Sequence, residues 1–206
     1  MNKLPEITII MRGKSYEEIR NVAIAVQNIS GERDFAIEIT ENSPDAFGSI
    51  EKLVSEFPNV FVGAGTIMTL ANAKKAVESG AKFILSPVTL TKEILDFCKE
   101  NKVITVPAAF SPSEVYELSV NGADYIKVFP ATSVGAKYFK DIQGPLGELD
   151  LMAVGGISIE NIDEFKNYGV KYFGIGTNMF NSKDVIEGNI AELELSLEQY
   201  RKRDEK

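Results

Sequence analysis

Short apolar segments alternate with amphipathic segments along the whole chain. Eight apolar segments are rich in Ile, Val and Phe and lack strict alternation of apolar and polar residues, which is typical of strands buried on both faces. They span residues 7–11, 35–39, 60–62, 83–85, 103–106, 125–129, 151–154 and 172–175. This pattern predicts eight short parallel strands inside the molecule.

Segments with helical periodicity follow these predicted strands. They span residues 16–29, 46–57, 71–78, 91–100, 113–120, 136–142, 158–168 and 182–200. Three of them end within two residues of a glycine, namely Gly80, Gly122 and Gly169, as helices often do. Eight strand–helix units predict an α/β protein folded as a single (β/α)8 TIM barrel over residues 1–206.

A doubly wound open sheet is the alternative fold, because it also alternates strands with helices. Its dinucleotide-binding form carries a Gly-rich turn after the first strand, and this chain has no such turn. The absence of that turn and the count of eight units favour the barrel.

The composition limits which partners the protein could bind and which cellular compartment it would occupy. The net charge of -8 argues against nucleic-acid binding. The chain has no run of about 18 apolar residues, and its first residues lack the pattern of a signal peptide. A single cysteine, Cys98, excludes an intramolecular disulfide and fits a reducing compartment. We expect a cytoplasmic protein that binds neither nucleic acid nor a membrane.

The sequence contains no histidine, which restricts the chemistry available to an active site. Zinc sites and imidazole acid–base catalysis are excluded, and a transition-metal site would lack its usual ligands. A magnesium site built from carboxylates stays open. Acid–base catalysis would have to use Glu, Asp, Lys, Tyr or water.

Lys127 lies in the sixth apolar segment, where nearly every neighbour is apolar. Burial disfavours the charged amine and lowers its pKa, which makes the side chain a usable nucleophile. The alternative is a lysine at a strand end whose amine reaches solvent.

The active site of a barrel lies at the carboxyl ends of its strands. Residues two apart on a strand share a face, so Glu38 is paired with Thr40, and Lys127 with Phe129. If Lys127 points into the barrel, Glu38 can point there too and can stabilise its charge or transfer protons. A structural ion pair across the barrel is the alternative.

Two Gly-rich turns end the last two predicted strands. Gly155 and Gly156 follow the seventh strand, and Gly176 and Thr177 follow the eighth. In many barrels these loops present backbone N–H groups to a phosphate. Each turn by itself also fits an ordinary tight connection between strand and helix.

These motifs resemble those of the 2-keto-3-deoxy-6-phosphogluconate / 4-hydroxy-2-oxoglutarate aldolases, a family of class I enzymes on a (β/α)8 barrel. The resemblance is carried by residues 10–13, 37–40, 62–66, 86–87, 126–131, 154–158 and 176–177, and its most specific part is Ile126-Lys127-Val128-Phe129-Pro130-Ala131. It implies cleavage of a 2-keto-4-hydroxy acid to pyruvate and an aldehyde, glyceraldehyde 3-phosphate or glyoxylate. It also implies a homotrimer that needs neither metal nor cofactor.

The resemblance also implies a role for each matching residue. Lys127 would form the Schiff base, and Glu38 would act as general acid–base through water. The implied substrate-binding residues are Arg12, Thr40, Thr66, Pro87, Phe129, Gly155, Gly156, Gly176 and Thr177. Thr66 would bind the pyruvate portion, Phe129 would shape the pocket, and the glycines with Thr177 would hold a phosphate.

Four positions depart from the family pattern, and all of them lie around the substrate rather than at the lysine. Asn42 replaces an arginine, Val88 and Ala108 replace glycines, and Val154 replaces a threonine. Arg12 could take over carboxylate binding, so the exact substrate stays open. Two other functions also stay open: a sugar-phosphate epimerase or isomerase, and a weakened barrel that senses a keto acid or sugar phosphate.

Overall fold

The computed structural model describes residues 3–29 and 34–201. In this part of the chain one parallel sheet contains the strands β1 (Ile7–Met11), β2 (Phe35–Thr40), β3 (Phe61–Gly65), β4 (Phe83–Leu85), β5 (Ile104–Val106), β6 (Ala108–Ala109), β7 (Ile126–Val128), β8 (Leu151–Val154) and β9 (Tyr172–Ile175). The sheet order is β5-β4-β3-β2-β1-β9-β8-β7-β6.

The two end strands of this order, β5 and β6, are consecutive in the chain and are separated only by Pro107. They form the two parts of one barrel strand, which is divided because proline has no N–H group for the ladder. The Tyr125 amide donates to the Thr105 carbonyl at 3.1 Å, and the Lys127 amide donates to the Pro107 carbonyl at 2.9 Å. The sheet therefore closes, and the predicted (β/α)8 barrel is confirmed.

Helices surround the barrel. They are α1 (Tyr16–Ile29), α2 (Ala46–Glu56), α3 (Leu70–Glu78), α4 (Lys92–Glu100), α5 (Pro112–Asn121), α6 (Ala131–Val134), α7 (Lys137–Leu146), α8 (Ile162–Asn167), α9 (Ser182–Glu187) and α10 (Ile190–Arg201), and a short 3-10 helix spans Thr177–Met179. Within the described residues, none of the helices is both long and apolar enough to cross a membrane.

Two helix predictions were wrong in extent. The predicted helix over residues 182–200 is broken at Gly188, which ends α9 with a φ of 69°. The predicted helix over residues 158–168 begins only at Ile162. The Asn161 side chain holds the preceding turn, because it accepts from the Ser158 amide and donates to the Gly156 carbonyl.

Side chains of the strands alternate between the helical layer and the barrel interior. At the amino end the interior is filled, with the rings of Tyr125 and Tyr172 in edge-to-face contact at 4.7 Å. The Leu4 amide donates to the Tyr125 hydroxyl at 3.2 Å and closes this end. The filled amino end leaves the carboxyl ends of the strands as the place for a cavity.

Candidate active site

A cavity of about 470 Å³ opens at the carboxyl ends of the strands. It is lined by Ile10, Arg12, Glu38, Pro87, Lys127, Phe129, Val154, Gly155, Gly156, Ile157, Gly174, Gly176 and Asn178. Three of these side chains can carry a charge: Arg12 just after β1, Glu38 on the neighbouring β2, and Lys127 on β7.

Lys127 projects from β7 into the cavity and is only 6% exposed. Burial lowers the pKa of its amine from 10.5 to about 8, the nearby Glu38 carboxylate opposes this change, and the Arg12 guanidinium adds to it. The Nζ atom lies 5.1 Å from the centroid of the Phe129 ring. At neutral pH about one-tenth of such amines are uncharged and able to attack a carbonyl carbon.

Glu38 projects from β2 and is 2% exposed. Burial raises the pKa of its carboxyl group, although Lys127 and Arg12 act in the opposite direction. Its Oε2 atom has no hydrogen-bond partner among the described residues. A buried carboxyl oxygen without a partner can exchange a proton with a molecule bound in the cavity.

Gly65 provides the space that the Glu38 carboxylate occupies. A Cβ atom at this position would lie 1.6 Å from Glu38 Oε1. The glycine at the end of β3 is thus required by close packing against the carboxylate, not by an unusual backbone conformation.

Arg12 follows β1 and lies at the cavity mouth. Its Nη1 atom donates to the Thr66 hydroxyl at 3.4 Å. Thr66 has a φ of 63°, in the left-handed region, which is unusual for a β-branched residue and marks functional sites in many proteins. Thr66 is therefore placed beside the cation at the mouth.

The glycine loops after β8 and β9 form another part of the cavity wall. Gly155 and Gly156 have φ values of 99° and 78°. A Cβ on Gly156 would lie 2.5 Å from Thr132 Oγ1, and the Thr132 hydroxyl donates to the Gly155 carbonyl at 3.2 Å. Gly176 precedes the 3-10 helix, and Asn178 lies within this helix. The backbone of these loops therefore borders the cavity directly.

The structure brings most of the predicted site residues to one cavity. Those lining it are Arg12, Glu38, Pro87, Lys127, Phe129, Gly155, Gly156 and Gly176. Thr40 is fully buried, does not line the cavity, and contacts the Ser43 hydroxyl at 2.9 Å. The side chain of Thr177 lies outside the part of the structure that is described.

Sequence reasoning missed several residues of the cavity wall. Ile10 lies two residues before Arg12 on the same inward face, so period-two alternation could have identified it. Asn178 lies in a 3-10 turn, for which the sequence gave no periodic signal. Residues 3–29 and 34–201 contain no group of three or more acidic or cysteine side chains able to hold a metal ion.

The family model described as "Aldolase: KDPG and KHG aldolase" matches residues 2–195. The chain belongs to this aldolase family. A relative in Rhizobium meliloti (strain 1021), "Probable 2-dehydro-3-deoxy-6-phosphogalactonate aldolase", is 33% identical over 191 residues, which cover 89% of this chain and 88% of the relative.

Solved structures of similar fold cover almost the whole chain. One described as "Native KDPGal structure" has a TM-score of 0.85 and 23% sequence identity. The match covers 100% of this chain and 98% of the chain in that structure. KDPG aldolase from Legionella pneumophila, with pyruvate captured as a covalent carbinolamine intermediate, has a TM-score of 0.82 and 25% identity, covering 94% and 92%.

The KDPG and KHG aldolase family uses class I chemistry, in which the enzyme binds its substrate covalently and releases pyruvate. The enzyme class expected from the sequence, an imine-forming aldehyde-lyase, is therefore confirmed. The cavity of this aldolase provides one buried amine, one buried carboxyl group and one cation at the mouth. These are the groups needed to attack a keto carbon, transfer protons and hold an acid.

Proposed function

We propose that this aldolase cleaves 2-keto-3-deoxy-6-phosphogalactonate to pyruvate and glyceraldehyde 3-phosphate, with Lys127 as the Schiff-base lysine. One observation carries the proposal: a buried amine of lowered pKa and a buried carboxyl of raised pKa line the same cavity. Groups perturbed in opposite directions at one site are typical of an acid–base pair around a covalent nucleophile.

The proposed reaction begins when the neutral Lys127 amine attacks the C2 keto carbon and forms a carbinolamine. Loss of water gives the imine. Glu38, through a water molecule, then takes the proton of the C4 hydroxyl, the C3–C4 bond breaks, and its electron pair moves toward the imine nitrogen. The aldehyde leaves, C3 of the enamine is protonated, and hydrolysis of the imine releases pyruvate and restores the amine.

Arg12 is the proposed partner of the substrate's C1 carboxylate. Its guanidinium lines the cavity, and Thr66 lies beside it. Among the described lining residues, Arg12 and Lys127 are the ones with cationic side chains, and Lys127 is used for the imine. A guanidinium can bind a carboxylate through two parallel hydrogen bonds.

The glycine loops are the proposed site of the substrate phosphate. Gly155, Gly156 and Gly176 line the cavity after β8 and β9, and the absence of side chains allows close approach to backbone N–H groups. Thr177 belongs to the same proposal.

The preference for the galactonate substrate rests on Val154 and on the relatives. Val154 lines the cavity at a position where the family pattern has a threonine, so a hydroxyl that could bind the substrate is replaced by an apolar group. The Rhizobium meliloti relative is described as acting on the phosphogalactonate. The phosphogluconate, its epimer, is the second candidate because the Legionella pneumophila structure is a KDPG aldolase.

The covalent step is tested by reduction with borohydride in the presence of pyruvate. We expect one adduct, located on Lys127 by peptide mass spectrometry, and no adduct on the Lys127→Met variant. An adduct on a different lysine, or none, would exclude the proposed mechanism.

The substrate is tested by measuring pyruvate release from three keto acids. They are 2-keto-3-deoxy-6-phosphogalactonate, 2-keto-3-deoxy-6-phosphogluconate and 4-hydroxy-2-oxoglutarate, and the first two are called the phosphogalactonate and the phosphogluconate below. The wild type should have the highest kcat/KM with the phosphogalactonate, and Val154→Thr should move the preference toward the phosphogluconate. Asn42→Arg tests whether the exposed residue after β2 contributes. No pyruvate from any of the three would favour a sensor, and turnover without pyruvate would favour an epimerase.

We also propose a homotrimer in the cytoplasm. Large apolar side chains after β3, β4, β6 and β7 are exposed on one side of the mouth, namely Met68, Val88, Phe110 and Phe129. Such a patch is typical of a contact between copies. Sedimentation equilibrium should give three times the chain mass of 22.6 kDa, and a monomer would contradict the proposal.

A further inference from the structure

A buried serine hydroxyl links the main chain on both sides of Arg12. Ser43 Oγ accepts a hydrogen bond from the Gly13 amide at 2.8 Å. The same oxygen donates to the Met11 carbonyl at 3.3 Å. Arg12 lies between these two groups in the chain, so its backbone is held from both directions.

The hydrogen-bonding capacity of this hydroxyl is fully used. A serine hydroxyl has one hydrogen and two acceptor positions. The hydrogen goes to Met11 and one acceptor position to Gly13, which leaves the Thr40 hydroxyl, 2.9 Å away, as a donor to Ser43. Ser43 and Thr40 are both buried, and neither lines the cavity. Ser43 and Thr40 therefore bond to other groups of the protein and not to a ligand in the cavity.

The segment around Arg12 needs such a restraint. Strand β1 ends at Met11, so Arg12 is the first residue beyond the ladder. Gly13 has a φ of 67°, and glycine has more backbone freedom than any other residue. The bond from Arg12 Nη1 to Thr66 is long, at 3.4 Å. The contacts of Ser43 with Met11 and Gly13 thus hold the backbone on both sides of the cation, beyond the end of the strand.

We propose that Ser43 is a positioning residue that acts through Arg12 on the carboxylate of the keto acid, an inference that rests on the proposed function of Arg12. The loop after β2 then contributes to carboxylate binding without supplying a cation. Asn42 in this loop is exposed and does not line the cavity, whereas Ser43 turns inward and fixes the cation that follows the neighbouring strand.

The first test replaces the hydroxyl. Ser43→Ala should raise the KM for the keto-acid substrate by about tenfold and change kcat by less than about twofold, because ground-state placement of the carboxylate is lost while the amine and carboxyl are untouched. Ser43→Thr keeps the hydroxyl and should restore the KM. Ser43→Cys fills the space with a weak hydrogen-bonding group and should give an intermediate KM.

A double-mutant cycle separates action through Arg12 from a general structural role. In the Arg12→Ala background, Ser43→Ala should have no further effect on KM, because the residue it positions is gone. The proposal would be overturned if the effects of Ser43→Ala and Arg12→Ala on KM multiplied in the double variant. It would also be overturned by an unchanged KM in Ser43→Ala and Ser43→Cys, or by a fall in kcat without a change in KM.

Ser49→Ala is the matched control, since it removes a buried serine hydroxyl from α2. It should leave KM unchanged. Hydrogen exchange of the Gly13 amide gives a readout that needs no activity, and this amide should exchange faster in Ser43→Ala than in the wild type. An unchanged exchange rate of this amide would contradict the proposed restraint of the backbone by Ser43.

The outcome is distinguishable from failure of the proposed function. Borohydride trapping of pyruvate on the wild-type protein tests Lys127 alone. If pyruvate is trapped on the wild type but KM is unchanged in Ser43→Ala, only the positioning role is rejected. If no pyruvate is trapped on the wild type but the Gly13 amide exchanges faster in Ser43→Ala, the imine chemistry is rejected and the restraint of the backbone by Ser43 is retained.

Discussion

Burial and two charged neighbours set the pKa of the Lys127 amine. Burial lowers the pKa of its amine, the Glu38 carboxylate raises it, and the Arg12 guanidinium lowers it. A nucleophilic lysine needs a pKa near the working pH, because only the neutral amine attacks a carbonyl carbon. The two neighbours therefore adjust the same amine in opposite directions.

Substitution of these neighbours should move the pH dependence of imine formation in opposite directions. The rate of borohydride trapping with pyruvate should rise through an apparent pKa of about 8 in the wild type. Arg12→Gln removes a like charge and should raise this apparent pKa, whereas Glu38→Gln removes an opposite charge and should lower it. Trapping rates measured across the pH range check both, and movement in the same direction would contradict this account.

Gly65 permits the position of Glu38, and its substitution should be costly. Gly65→Ala would place a Cβ atom 1.6 Å from Glu38 Oε1 and displace the carboxylate. We expect kcat to fall by about 10²-fold or more, the typical contribution of a general acid–base group. Steady-state kinetics of pyruvate release measures this fall.

Gly144→Ala is the control for this substitution. Gly144 lies within α7, and a Cβ there would meet nothing within 4 Å. It should keep wild-type kcat. Equal kinetic losses in the two variants would mean that the glycine effect is unrelated to Glu38.

At the scale of single residues, the sequence predicted two charged side chains of the cavity wall but not the contacts around them. Period-two alternation allowed Glu38 to face the barrel interior together with Lys127, and both line the cavity. It also placed Thr40 on the face of Glu38, but it could not predict that the Thr40 hydroxyl bonds Ser43. Such a partner depends on the path of a loop, which has no periodic pattern.

At the scale of elements, the loop after β8 contains two consecutive glycines with positive φ, Gly155 and Gly156. Gly156→Ala would combine a φ of 78° with a Cβ lying 2.5 Å from Thr132 Oγ1. We expect the KM for a phosphorylated substrate to rise by about tenfold, because the loop must move away from the proposed phosphate site, with a smaller change for 4-hydroxy-2-oxoglutarate.

Gly122→Ala isolates backbone strain from this effect. Gly122 has a φ of 91° at the end of α5, and a Cβ there would meet nothing within 4 Å. It should lower stability by about 1 kcal/mol and leave KM unchanged. A similar rise in KM in both variants would show that strain alone is responsible.

Element boundaries followed local chemistry where the sequence had a clear signal. The turns at Gly80, Gly122 and Gly169 were predicted from glycine and have positive φ values. The division of the fifth barrel strand at Pro107 and the break at Gly188 were not predicted, because each interrupts a segment whose apolar pattern continues on both sides. Periodicity reports which face is buried and is insensitive to one missing hydrogen bond.

At the scale of the whole molecule, the reactive lysine reduces stability. The lowering of the Lys127 pKa from 10.5 to about 8 corresponds to about 3 kcal/mol against the charged form. Between these pH values the unfolded chain binds the proton and the folded chain does not, so stability rises with pH across this window. Below it, both states bind the proton and the full cost remains.

Lys127→Met should therefore be more stable than the wild type at neutral pH, by about 1–3 kcal/mol, and this advantage should shrink as pH approaches 10.5. Urea unfolding at neutral and alkaline pH measures the difference. The exposed Lys140→Met is the control and should change stability by less than about 0.5 kcal/mol at either pH. A Lys127→Met variant that is less stable at neutral pH would contradict the account.

Closure of the barrel has a consequence for the chain during its synthesis. Lys127 is made before β8 and β9, and these strands supply Val154 and Gly174 to the cavity wall. Until they dock, the amine is hydrated and has the pKa of any solvent-exposed lysine. A chain emerging from the ribosome is thus no more susceptible to cellular aldehydes and keto acids at this position than at its other lysines. The lowered pKa on which the proposed imine chemistry depends therefore arises late, once β8 and β9 have docked and Lys127 is buried.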